Sequence, residues 1–74
     1  MRTFYQYLMT KRNTEAKDPI SSFANAAVDD LQFPKQSIDF DELSHYLELN
    51  ADYLDSMAVF DEVYREYSEI EGRG

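Results

Sequence analysis

Residues 18–34 read Asp-Pro-Ile-Ser-Ser-Phe-Ala-Asn-Ala-Ala-Val-Asp-Asp-Leu-Gln-Phe-Pro, and this stretch decides the fold class. Asp18 is a good N-cap, and Pro19 follows at the first helical position, where a missing N–H costs nothing. Ile20, Phe23, Ala24, Ala27, Val28 and Leu31 then recur at helical spacing, with Ser22, Asn25 and Asp29 opposite them. The pattern predicts an amphipathic helix with one core-facing stripe. Phe33-Pro34 closes it, because the residue before a proline is pushed out of the α region.

Upstream, Thr3 and Gln6 have the T-x-x-Q spacing of a capping box and start a first helix. Phe4, Tyr5, Tyr7, Leu8 and Met9 cover an arc of roughly 200°, so this helix should be contacted from several sides. Asn13 to Lys17 is polar and reads as a loop. Downstream, Asp39 and Glu42 suggest a second capping box, with Ile38 placed to staple onto Leu43. A third helix is expected from Phe40 to Leu49, with Phe40, Leu43 and Leu47 facing inward. Leu49 falls off that stripe. If Asn50 caps a fourth helix from Ala51 to Ile70, Leu49 and Leu54 become a second staple, which would explain the misfit. The apolar arc of this last helix holds Met57, Val59, Phe60, Val63, Tyr64, Tyr67 and Ile70, and Tyr53 lies on the same arc.

Four short helices and no strand signal predict an all-α, compact four-helix domain, single over residues 1–71, with a frayed tail at 72–74. The composition agrees. Seventy-four residues with 7 Lys+Arg against 15 Asp+Glu give one small acidic chain of net charge −8. A domain of this size buries only about 60% of the surface its unfolded chain exposes, which leaves little for a deep substrate pocket. Zero cysteines remove disulfides and thiolate chemistry. No run of about 20 apolar residues could cross a bilayer, and the short run Thr3 to Met9 is broken by Gln6. No membrane association is expected, and the cytoplasm is the expected location.

Several strings have a familiar form: Phe4-Tyr5-x-Tyr7-Leu8, Asp18 to Ser21 with Phe23-Ala24-Asn25, Phe33-Pro34-Lys35, and Tyr46-Leu47-Glu48-Leu49-Asn50-Ala51-Asp52-Tyr53-Leu54 with Phe60-Asp61-Glu62. Together they resemble the YozE family of short bacterial proteins, along essentially the whole chain. The resemblance implies a sterile-alpha-motif-like helical bundle. It carries no catalytic residue, and folds of this type host both protein-interaction modules and nucleic-acid binders.

Glu42-x-x-His45 has the spacing of half a di-iron site, but the chain holds one histidine and no second such motif. A solvent-facing histidine among carboxylates is the simpler reading. Asp39-x-Asp41-Glu42 lacks the glycine and the distal glutamate of a calcium loop, and reads better as a helix start. Glycines occur only at 72 and 74, so no phosphate-cradling loop can form. The expectation is therefore no enzyme, no metal and no cofactor.

Two candidate binding sites follow. Eleven aromatics are more than a small core encloses, so some of the six tyrosines should be exposed, and tyrosine suits interfaces. Tyr64 and Tyr67, on the less-wrapped half of the last helix, are the expected protein-partner site, in a monomer or weak homodimer. The alternative is nucleic acid. Arg2, Lys11, Arg12 and Lys17 against Glu15 give residues 1–17 a net +3, whereas residues 18–74 carry net −11. A polyanion is repelled by most of such a surface and could use only this basic end, unless these cations simply balance acids of the last helix.

Overall fold

The computed structural model describes residues 1–72, and among them four α-helices: α1 (Phe4–Met9), α2 (Pro19–Ala27), α3 (Phe40–Asn50) and α4 (Met57–Glu71). No strand occurs among the described residues. The caps explain where the helices begin. Gln6 N–H donates to Thr3 Oγ1 at 3.2 Å while Thr3 N–H donates to Gln6 Oε1 at 2.9 Å, a complete capping box. Asp18 Oδ2 takes the Ser21 N–H at 3.0 Å, with Pro19 at the first helical position. At α3 only half of the expected box forms. Asp39 Oδ2 accepts from Glu42 N–H at 2.9 Å, but the Asp39 N–H donates to Ser37 Oγ at 3.2 Å instead of to Glu42.

α4 is the axis of the domain, about 22 Å long, and each of the other three helices packs on it. α1 also packs on α2, whereas α2 and α3 share no direct helix-to-helix seam. The core between them is Phe4, Tyr7 and Leu8 from α1, Phe23, Ala24 and Ala27 from α2, Leu43 and Leu47 from α3, and Phe60, Val63 and Tyr67 from α4, closed by Phe33. Aromatic rings dominate it. Phe4 meets Phe60 and Tyr67 edge-on at 5.4 and 5.6 Å, an arrangement the ring quadrupoles favour.

Four boundaries or packing expectations need correction. α2 ends at Ala27, well before the expected Phe33-Pro34 stop, because Asp29 N–H and Asp30 N–H bond back three residues and Asp30 Oδ1 then takes the Gln32 N–H. That turn swings Leu31 outward, to 84% exposure, instead of into the core. Asn50 does not cap a fourth helix. It is the last residue of α3, its Nδ2 donating to the Tyr46 carbonyl at 3.1 Å, and α4 starts at Met57 under a Ser56 cap. No Leu49–Leu54 staple forms. Leu54 packs on the core and Leu49 stands 68% exposed. In the break between the two helices, Tyr53 lies over Phe23 at 6.5 Å and its hydroxyl reaches Asp30. Ile38 and Phe40 are 48% and 40% exposed, and Ile70, on the expected apolar arc of α4, is exposed as well. Gly72 caps α4; the rest of the tail expected to fray lies outside the described residues.

Candidate interaction surface

The expected tyrosine pair divides. Tyr67 is a core residue, 1% exposed, whose hydroxyl donates to the Arg2 carbonyl at 2.6 Å, so it cannot present a face to a partner. The fault in the expectation lies in α1. Its Phe4 and Tyr7 cover the second half of α4, which had been expected to pack on one face only. Tyr64 remains half-buried at the surface. Its ring packs edge-on to Phe40 at 5.1 Å, and its hydroxyl donates to the Ile38 carbonyl at 2.8 Å. Desolvation first, then the Asp39 and Asp41 carboxylates, hold the Tyr64 hydroxyl above its ordinary pKa. Ile38, Phe40 and Tyr64 thus form a small apolar strip.

The basic end is largely spoken for by α4. Arg2 bonds Glu71 through its backbone N–H at 2.7 Å and its Nε at 3.3 Å. Lys11 Nζ lies 3.4 Å from Glu66, which also accepts from the Tyr7 hydroxyl at 3.2 Å. Both cations rest on the Tyr7 ring, 5.4 and 5.2 Å from its centroid. The Tyr7 hydroxyl first, then Glu66, raise the Lys11 pKa against the opposing effect of burial. Arg12 and Lys17 are exposed and are not drawn into this cluster. Of the four cations expected as an anion site, two are thus engaged by carboxylates of α4.

Sequence reasoning missed the cleft between α2 and α3. Because those helices share no seam, the gap is bridged by side chains from the segments around them. Asp30 is the bridge: its Oδ2 accepts from the Tyr46 and Tyr53 hydroxyls, both at 2.7 Å. Burial acts to raise the Asp30 pKa, but the two hydroxyls, the Gln32 amide and Lys35 together bring it below the ordinary value. Desolvation and Asp30 push the Tyr46 hydroxyl up to about 12 and the Tyr53 hydroxyl higher still. No buried side-chain polar atom among the described residues lacks a partner.

On either side of this bridge the surface stays open. One cleft of about 590 Å³ is lined by Pro34, Asp41, Glu42, His45, Tyr46 and Asn50. A second, of about 400 Å³, adjoins it through Asn50 and runs past Asp29, Asp30 and Tyr53. Leu49 shares the α3 face of Glu42, His45 and Tyr46, standing seven, four and three residues after them. Leu31 directly follows the bridging Asp30. The only signal for this surface in the sequence was the misfit of Leu49. His45 is exposed on the cleft wall, and no group of three or more His, Cys, Asp or Glu placed to hold a metal ion occurs among the described residues.

Comparison with known proteins agrees with this architecture. The model of the YozE SAM-like fold family matches residues 3–69. The UPF0346 protein YozE of Bacillus subtilis is 55% identical over 74 residues, 99% of this chain and 100% of that protein. A UPF0346 protein of Limosilactobacillus reuteri is 58% identical over 65 residues, 88% of this chain and 89% of its own. The solution NMR structure of the Bacillus subtilis protein superposes with a TM-score of 0.83, covering 99% of this chain and 90% of that one. With the helix order, the resemblance read from its strings and these matches in agreement, the chain belongs to the YozE family of SAM-like proteins.

Proposed function

We propose that this protein is a cytoplasmic, non-enzymatic interaction module that binds a protein partner through the outer face of α3 and the adjoining 30–35 segment. One observation carries the reading. Leu31, which the helical spacing assigned to the core, and Leu49, which it left off every stripe, stand 84% and 68% exposed, each adjacent in sequence to a cleft-lining residue, Asp30 and Asn50. Leu49 follows Tyr46 by three residues on α3 and Leu31 follows the Asp30 that holds Tyr46, so both exposed leucines are anchored to one hydrogen-bonded frame. The cleft sets the apolar Pro34 and Tyr46 ring beside the polar Asp41, Glu42, His45 and Asn50, a combination that can both seat and orient a ligand. The strip of Ile38, Phe40 and Tyr64 is the surviving part of the tyrosine site expected on α4, and offers a smaller contact. Nucleic-acid binding by the basic end is the weaker reading, since Glu71 and Glu66 already engage Arg2 and Lys11.

The test places a photo-crosslinking side chain at position 49 and, as control, at position 62 on the exposed face of α4. The expected result is one protein captured at 49 and not at 62, which binds the purified chain and loses about tenfold affinity on Leu49→Ser. Equal capture at both positions, or a purified pair indifferent to Leu49, would reject this surface.

A further inference from the structure

We infer that the segment accepted by the α3 cleft is cationic and carries a large apolar side chain, a deepening that rests on the interaction reading above. The lining supplies both halves of the argument. Pro34 and the Tyr46 ring form apolar walls, and the exposed Leu49 precedes the lining residue Asn50 on α3. Asp41 and Glu42, exposed in the first turn of α3, lie on the same wall. The adjoining cleft adds Asp29, and neither cleft is lined by a lysine or arginine. Lys35, the nearest cation in sequence, lies over the Tyr5 ring, 5.5 Å from its centroid, and although its charge is felt at Asp30 it lines neither cleft. Asp30 is occupied with its two hydroxyls and the Gln32 amide, so it frames the cleft and does not recruit.

The free carboxylates at the cleft are thus Asp41, Glu42 and Asp29, with Glu48 exposed farther along α3. They form a negative collar around an apolar seat. An opposite charge on the incoming chain steers its approach, and an apolar anchor filling the cleft holds it. A second copy of the chain is disfavoured as occupant, because two faces of a protein of net charge −8 repel one another. A polyanion or an anionic lipid surface is disfavoured for the same reason. What remains complementary is a lysine- or arginine-bearing segment with a leucine-like or aromatic side chain.

The experiment titrates the full, isotope-labelled chain with three capped 14-residue peptides of helical spacing, built from Lys and Leu, from Lys and Ser, and from Glu and Leu. Backbone amide shifts report where each one binds. The expected result is saturable binding of the Lys/Leu peptide, with shifts concentrated at residues 30–35 and 41–50. It should weaken severalfold between 50 and about 300 mM salt. Leu49→Ser and the pair Asp41→Lys/Glu42→Lys should each weaken it about tenfold. All three positions are exposed, so the variants should keep the wild-type circular dichroism. A Lys/Ser peptide that binds as tightly, or shifts centred on Asp61, Glu62 and Glu69 of α4, would reduce the effect to bulk charge and overturn the inference. A Glu/Leu peptide that binds as tightly would overturn the cationic assignment and leave the interaction surface standing. Shifts from none of the peptides would overturn this inference alone, because the crosslink at position 49 tests the surface separately.

Discussion

At the residue scale, Asp30 ties together three segments of the chain. One carboxylate oxygen receives two tyrosine hydroxyls, and the other receives a backbone amide, so three donors from three segments meet on one side chain. Hydrogen bonds to an ionised acceptor are stronger than neutral ones, and a partner left unpaired in a part-buried site carries the desolvation penalty. Asp30→Asn is expected to lower stability by about 1–3 kcal/mol in urea unfolding at pH 7. The pH dependence follows from the direction of the shift. Asp30 has a lowered pKa in the folded state, so its contribution is present above the unfolded value near 3.8 and is lost as pH falls through the folded one. The gap between wild type and variant should therefore be flat at neutral pH and close below about pH 4. Tyrosine absorbance provides a second readout: in the wild type Tyr46 ionises at about 12, and Asp30→Asn should bring that step down. An unchanged step would mean that desolvation alone sets it.

At the element scale, the corner between α3 and α4 distinguishes two ways of ending a helix. The sequence reading put Asn50 at the start of the last helix, whereas Ser56 Oγ accepts the Ala58 N–H at 3.1 Å and Asn50 closes α3. Ser56→Ala should cost about 1 kcal/mol, a drop in Tm of about 4–8 °C for a domain of this size. Asn50→Ala should cost less, because its amide only doubles up on a carbonyl of the last turn. Thermal unfolding of the two variants checks the order. Reversed costs would place the cap at Asn50. α2 shows the complementary case, in which Asp18-Pro19 was read correctly at its start and the end was misread. Start signals are local side-chain chemistry. The end depended on where Asp30 had to stand.

At the scale of the whole molecule, the two ends of the chain are fastened together. Tyr67 holds the Arg2 carbonyl, Glu71 holds the Arg2 amide and guanidinium, and Phe4 N–H donates to the Ser37 carbonyl at 3.3 Å. Phe4 lies beneath this clasp, in contact with Phe60, Tyr64 and Tyr67. Phe4→Ala is expected to cost about 3–5 kcal/mol, against a total stability of roughly 4–11 kcal/mol for a chain of this length. Denaturant unfolding should find this variant largely unfolded or close to it at 37 °C. A loss below about 1 kcal/mol would mean that α1 is a dispensable arm and not part of the core. This arrangement also accounts for the failed Tyr67 assignment. A helix of six residues was enough to cover the half of α4 that the sequence left open.

What the sequence alone determined were the features written in neighbouring residues: the Thr3 and Asp18 caps, the inward faces of α1 and α2, the all-α class, and the family, carried by strings that run almost from end to end. It also set the charge that makes a cationic partner complementary. Only the tertiary structure decided the α2 and α3 ends, the burial of Tyr67, the capture of Arg2 and Lys11 by α4, and the cleft along α3. The physical reason is common to all four. Each depends on contacts between residues distant in sequence, such as Tyr53 with Asp30 or Tyr67 with Arg2, and helical periodicity states which residues share a face without stating what covers it.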